Sequence, residues 1–488
     1  MTRHKFYLLA IFIGVLCSAF FIYCKIEVPG SQKNMPAAAE DNLVRSFPSP
    51  ELTSYRMELY LDTISSTLYG STWLTTRNTT GVALQELWFT AYPNAFKKPE
   101  QSPAPANAYY NGYDSGWLQI NKLKVNKQES RYVEEGVSIK AELPATVPPG
   151  ASITVEMQWQ ARIPNIAYRY GCKNGVFMLG NFYPVLNVYS DYGWHNSYNS
   201  VFGDPFCFNC ADYVVRVNIP ENYSLVSTGV NMETIAEDNG RETHIIQAKN
   251  ARDFCLAVMY DYTQEKARIA SADILCYAPA GNTARQREIL GQSRQILNYY
   301  ACHFGSYPYQ DFKVVFVPMQ GFHGMEYSGV IFLQEEFLAP DYDKERSHFL
   351  LAHEIAHQWW YSQVGNDQIR EPWLDEGLAN WSSYKYLQDI IGKKPPAVKR
   401  FPDGINLGVE LREIYSTREY YLTAYTGGEE FWFGLEEQLG TEKVIQVLRR
   451  YLADYRYQIA TTSNLQDVIK REAHQDMDSY FYKWFKQD

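Results

Sequence analysis

Residues 351–379 read LAHEIAHQWWYSQVGNDQIREPWLDEGLA. On a helix, His353 and His357 stand one turn apart on a single face, so both imidazoles aim at one point. This pattern constrains the chain more than any other, because two histidines do not complete a metal site and a second element must come up to that face. Zinc accepts nitrogen and carboxylate oxygen, and a catalytic zinc keeps three protein ligands with one open position. Glu376, expected on a second helix after a polar loop, supplies the third ligand. Glu354, next to the first histidine, leans toward the open position. Zinc lowers the pKa of a bound water to about 7, and a neighbouring carboxylate takes the proton as that water attacks a carbonyl, then hands it to the leaving amine. Paired histidines on a solvated helix face are the bland alternative, which the downstream Trp373-Leu374-Asp375-Glu376-Gly377 argues against.

The chain has 488 residues, 46% of them hydrophobic, enough for more than one buried core. A formal net charge of -10 without a sizeable Lys/Arg cluster excludes a nucleic-acid binder, which needs a basic surface. At the N-terminus, Arg3, His4 and Lys5 precede an uncharged stretch from Phe6 to Cys24. That length is near the roughly 20 residues that span a bilayer, and the positive flank predicts a cytoplasmic N-terminus. Residues 1–25 are therefore expected to be a single-pass signal anchor in the cell membrane, with the rest extracytoplasmic. Secretion after cleavage near Cys17-Ser18-Ala19 is the alternative. Six cysteines follow this stretch, too few over that length for a disulfide framework. Cys207 and Cys210 read as a local disulfide or two free thiols. Glycosylation sequons occur at Asn78 and Asn222.

Period-two alternation dominates from about Ser54 to Tyr262, as in Ile153 to Ala161 and Tyr213 to Ile219, and predicts strands. Beyond Arg268 the period turns helical, over 284–303, 347–362, 373–391, 429–455 and 464–485. Two short apolar runs, KVVFVP (313–318) and SGVIFL (328–333), read as buried strands. The expected organisation is multidomain: anchor 1–25, linker 26–44, an all-β N-terminal domain 45–265, and a mixed α/β, mainly helical catalytic domain 266–488.

HEIAHQWW, the gap of residues 358–375 and WLDEGLA together resemble the gluzincin zinc aminopeptidases, the family of aminopeptidase N and leukotriene hydrolase. The resemblance implies His353, His357 and Glu376 as ligands of one Zn2+ per chain and Glu354 as general base. HGMEY (323–327) aligns with the family's Gly-Ala-Met-Glu-Asn motif, which implies Gly324, Met325 and Glu326 as substrate-binding, Glu326 meeting the free α-amine. Along a sheet edge such a motif pairs with an extended peptide by backbone hydrogen bonds. TAYTGGEEF (423–431) is similar to the family's Tyr-x-Lys-Gly segment opening a helix, with Gly427 where lysine is common, and implies Tyr425 as the group stabilising the oxyanion. SYPYQDFKVVFVP, ADYVVRVNIPENYSLVSTG and ARDFCLAV also look like family segments. The implied catalytic domain is thermolysin-like, in a compact member without the helical C-terminal domain of larger ones.

The expected function is zinc-dependent removal of N-terminal residues from peptides with a free N-terminus. An endopeptidase of the same chemistry and a catalytically silent peptide-binding scaffold are the alternatives. Oligomeric state is not legible in the sequence.

Overall fold

The computed structural model describes residues 53–269, 272–393 and 406–485. The expected anchor and linker lie outside the described residues, among which no helix is long and apolar enough to cross a membrane.

An eight-stranded sheet carries the first half, running Val230–Glu237, Arg241–Ala251, Ala211–Pro220, Thr53–Asp62, Thr67–Arg77, Ser152–Arg162, Trp117–Val125 and Gln128–Glu129. Its pairs are antiparallel except that Thr53–Asp62 runs parallel to Ala211–Pro220. The alternation seen in the sequence follows from one buried face: Ile153, Val155, Met157, Trp159 and Ala161 are buried while Gln158 is exposed. Two four-stranded sheets complete this region. One orders Tyr223–Ser227, Leu256–Tyr260, Val176–Leu179 and Tyr170–Lys173; the other orders Val185–Leu186, Leu84–Thr90, Ser138–Val147 and Tyr132–Glu135.

A five-stranded sheet begins the catalytic half, in the order Tyr262–Ile269, Ala272–Pro279, Asp311–Val317, Val330–Gln334 and Gly324–Tyr327. Its first strand straddles the expected division at residues 265 and 266. Asp311–Val317 has parallel partners on both sides, and all seven of its residues are buried. Phe312, Val314 and Phe316 face the catalytic core of helices. Val315 and Val317 pack instead with Val176, Met178, Ala257 and Met259 of the β-rich half. Cover on both faces is why this strand reads as an unbroken apolar run. It also seats the catalytic sheet directly on the β-rich half.

Helix Thr283–His303 links the second and third strands of that sheet. The expected helix over 347–362 is instead Lys344–Ala356, started by Asp343, whose carboxylate accepts from the backbone N–H groups of Glu345 and Arg346. It stops before Trp359 and Trp360 because the chain turns there to bury both indoles. The stretch 373–391 is an α-helix, Trp373–Tyr386, continued by a π-helical turn, Leu387–Ile391. The expected helix over 429–455 is two, Gly428–Leu439 and Thr441–Tyr455, divided at Gly440 with φ 84°. A side chain there is strained, so glycine marks the break. The last stretch is likewise two helices, Thr462–Ala473 and Asp478–Trp484.

The cysteines 172, 207, 210, 255, 276 and 302 are free thiols, so the Cys207–Cys210 pair is not a disulfide. Asn78 is buried and its amide donates to the carbonyls of Val82 and Val147, which leaves no accessible acceptor at that sequon.

Candidate metal centre and substrate cleft

Helix Lys344–Ala356 carries His353, with His357 at its C-cap, and helix Trp373–Tyr386 carries Glu376 in its first turn. The Nε2 atoms of the two histidines lie 3.1 Å apart, and Glu376 Oε2 is 3.2 Å from His353 and 3.5 Å from His357. Around a tetrahedral zinc with bonds of about 2.0–2.1 Å, ligand atoms sit roughly 3.3 Å from one another. The three donors therefore match the spacing such an ion imposes. Glu376 Oε2 is buried with no hydrogen-bond partner, as suits an oxygen aimed at a cation. Nδ1 of His357 donates to the carbonyl of Trp360 at 2.9 Å, which fixes the tautomer that leaves Nε2 free as an acceptor. The early helix stop thus serves the site, because only a chain that turns at Trp359 brings the Trp360 carbonyl back to the ring.

Glu354 is 5% exposed. Burial, then the nearby Glu376 carboxylate, push its pKa up to about 8 against the pull of His357. Its neighbour on the edge of the five-stranded sheet is Gly324: a methyl group there would fall 2.2 Å from Glu354 Oε1, so glycine is what gives the carboxylate its place.

Gly324–Tyr327 is the edge strand of the catalytic sheet, paired with Val330–Gln334 alone. Glu326 is buried, and burial together with Asp204, Glu354 and Glu376 raises its pKa well above the carboxylate range. The Met325 side chain is 4% exposed and packs in the apolar cluster with Val315, Val317 and Phe332, which leaves backbone pairing as the contact it could offer at this edge. Gln358, next to the second histidine, clamps the turn after Glu326, its Oε1 accepting from Gly329 N at 2.8 Å and its Nε2 donating to the Tyr327 carbonyl at 3.1 Å. The Glu326 strand is thereby tied to the histidine helix.

Tyr425 donates its hydroxyl to Glu376 Oε1 at 2.7 Å, and its ring stacks on His353 with centroids 5.8 Å apart. It does not open a helix as expected. It lies in a π-helical turn, Tyr421–Gly427, inside helical chain that runs from Thr417 to Leu439. That helical chain meets the glutamate helix where Gly377 faces Gly428; a methyl group on Gly377 would lie 2.4 Å from the Gly428 Cα. Backbone contact at these glycines draws the two helices close enough for Tyr425 to reach Glu376.

Sequence reasoning missed several participants. Asp204, from the β-rich half, ion-pairs with the buried Arg169 and acts electrostatically on both Glu326 and Glu354. Asp375 is pushed up to about 7 by burial and by Glu376 beside it, and accepts from Gln368 at 2.9 Å. Arg252 donates to the carbonyls of Phe208, Tyr361, Gln363 and Gln458, while Asp253 accepts from Ser328 N and the Tyr361 hydroxyl. These two residues of the β-rich half hold the loop that follows His357. Their partners lie far away in sequence, and no local pattern marks them.

Five carboxylates, Asp204, Glu326, Glu354, Asp375 and Glu376, act on one another in this buried region and are faced by two histidines and Arg169. The excess of negative charge suits a divalent cation and an ammonium group.

Residues 289–484 match the model of the Peptidase family M1 domain. Aminopeptidase M1-B of Oryza sativa subsp. japonica is 22% identical over 250 residues, covering 47% of this chain and 28% of that relative. Aminopeptidase M1-C of the same plant is 23% identical over 313 residues, covering 58% of this chain and 35% of that relative. The chain thus spans about a third of the length of the curated relatives it matches. Among solved structures, a mutant of an M1 zinc metallopeptidase from Deinococcus radiodurans aligns with a TM-score of 0.64 at 17% identity, covering 89% of this chain and 94% of that one. A mutant of that enzyme with a Tyr-Ser-Ala substrate bound aligns with a TM-score of 0.61 at 17% identity, covering 87% and 91%. The ligand set on two facing helices, the shared two-part fold and the matched domain agree: residues 289–484 carry a Peptidase family M1 domain, which supports the resemblance to the gluzincin aminopeptidases.

Proposed function

We propose that this protein is a zinc aminopeptidase that removes N-terminal residues from peptides carrying a free α-amine. His353, His357 and Glu376 hold the ion. A bound zinc acts as a Lewis acid toward the scissile carbonyl and toward the attacking water. Glu354 takes a proton from that water and passes it to the leaving amine; a buried carboxylate with raised proton affinity is suited to both halves of that transfer. Tyr425 donates to the developing oxyanion, a role supported by its bond to Glu376 and its stacking on His353. An extended peptide pairs with the free edge of Gly324–Tyr327 and ends at Glu326.

One observation carries the exopeptidase reading. Glu326 is a buried carboxylate on the edge strand, acted on by the charges of His357, Glu354 and Glu376, and such a group pairs with the ammonium of a free N-terminus. The names of the matched relatives, aminopeptidases, support it. The test compares a dipeptide amide with its N-acetylated twin. The wild type cleaves the free-amine substrate far faster, and Glu326→Ala lowers kcat/KM for it by roughly 10²-fold, the loss expected when a buried charge partner is removed. Equal losses on both substrates contradict the amine anchor and favour an endopeptidase.

A further inference from the structure

A second set of reactive side chains lies outside the metal centre and uses none of its residues. Tyr189–Ser190 and Gly193–Trp194 form a short antiparallel hairpin in the β-rich half. His195 follows it, held by its backbone N–H to the Val188 carbonyl at 2.9 Å. Its Nε2 lies 2.6 Å from Ser190 Oγ, and its Nδ1 lies 2.5 Å from Asp367 Oδ2. Asp367 belongs to the loop before the glutamate helix, and its other oxygen accepts from the backbone N–H groups of Ile369 at 2.9 Å and Arg370 at 3.2 Å. Its carboxylate is therefore fixed, and the His195 and Asp367 side chains are each 7% exposed.

The partners settle the proton positions. A carboxylate only accepts, so the ring proton sits on Nδ1 and Nε2 is left to accept from the Ser190 hydroxyl. Serine, histidine and aspartate in this order and spacing form a nucleophile, a base and the group that orients the base. All three line a cavity of about 1080 Å³, whose wall also includes Tyr192, Arg370 and Glu371. That volume is on the scale of small-molecule sites. Cys207 Sγ lies within 4.8 Å of the ligand-capable atoms of His195 and Asp367, which raises a metal as the rival occupant. The His195–Asp367 contact of 2.5 Å is the length of a hydrogen bond, shorter than the roughly 3.3 Å between two ligands of one zinc. Burial and the neighbouring Asp367 also hold the Cys207 thiol far from the thiolate a metal takes.

We propose that Ser190, His195 and Asp367 form a second, metal-independent nucleophilic site that hydrolyses carboxylic esters bound in this cavity. Ser190 Oγ bonds to the ester carbonyl carbon as its proton passes to His195 Nε2. The carbon–oxygen bond to the alcohol then breaks, and the alcohol departs with that proton. Water adds to the acyl carbon, giving one proton to His195; the bond to Oγ breaks, Oγ regains the proton, and a carboxylic acid is released. Esters are the fitting class because the relay supplies one proton carrier and an alcohol leaves more readily than an amine.

The test treats the full zinc-loaded chain with a fluorophosphonate probe and reads the adduct by peptide mass spectrometry, alongside hydrolysis of 4-nitrophenyl acetate. The proposal expects one adduct, on Ser190, formed equally in wild type and in Glu354→Gln. Ser190→Ala abolishes adduct and esterase activity while peptide cleavage continues. His195→Gln and Asp367→Asn slow labelling on the order of 10³-fold. If either of those two fails to fold, the wild-type adduct and the Ser190→Ala comparison decide. Absence of a Ser190 adduct, labelling indifferent to His195→Gln, or loss of a second zinc equivalent in His195→Gln overturns it.

Discussion

Gly70 in the β-rich half and Gly324 in the catalytic half both stand where a methyl group would collide with a neighbour. At Gly70 the neighbour is the Trp159 ring, 2.2 Å from where that methyl would be; at Gly324 it is the Glu354 carboxylate, at the same distance. Trp159 is fully buried, with its Nε1–H donating to Thr72 at 3.0 Å, and has nowhere to go. Glu354 is an unbranched side chain that can swing aside. One contact holds the core together, and the other positions the carboxylate proposed as general base. The same device thus protects stability in one half and chemistry in the other.

That contrast breaks if the two substitutions behave alike. Gly324→Ala moves the Glu354 carboxylate, so kcat falls by roughly 10²-fold or more while the melting temperature barely changes, as steady-state kinetics and calorimetry on one sample will show. Gly70→Ala overpacks the strand against Trp159 and lowers unfolding free energy by about 1–3 kcal/mol, with kcat of the folded fraction intact; urea titration reads it. The smallest effect is electrostatic and lies in the catalytic half. His348 is driven down to about 4 by burial, with Arg285 adding to the effect and Glu288 opposing it. Between pH 6.5 and that value the unfolded chain binds a proton that the folded chain refuses, so His348 costs stability as pH falls through this window and contributes nothing above it. At pH 5.5 the cost is about 1 kcal/mol. His348→Gln should recover it relative to pH 8, and a pH-independent difference between variant and wild type would contradict the assignment.

The metal ligands were legible because the helix period places His353 and His357 on one face, whatever surrounds them. The strands around Trp159 and Val215 were legible for the same reason, with a period of two. Helix ends were not: Trp359 and Trp360 continue the apolar pattern past Ala356, and only the folded chain shows that burying both indoles requires a turn. Gly440, before Thr441, did carry a signal for the break between the last long helices. Tyr425 was placed by resemblance, yet the π-helical turn that holds it has no sequence period of its own. Met325 reads as part of a motif, whereas its burial depends on β-rich strands more than sixty residues away in the chain. Arg252 and Asp253 reach the loop after His357, and Asp204 acts on Glu326 and Glu354, only because the two halves dock.

The central claim is that two facing helices hold one divalent ion. Zinc measured by atomic emission in the purified chain, and in Glu376→Ala after identical soaking and desalting, tests it most directly. The account predicts one zinc per wild-type chain and a loss of affinity of at least about tenfold to a hundredfold in the variant. A wild-type chain that emerges free of zinc after soaking, or a Glu376→Ala chain that retains a full equivalent, contradicts it.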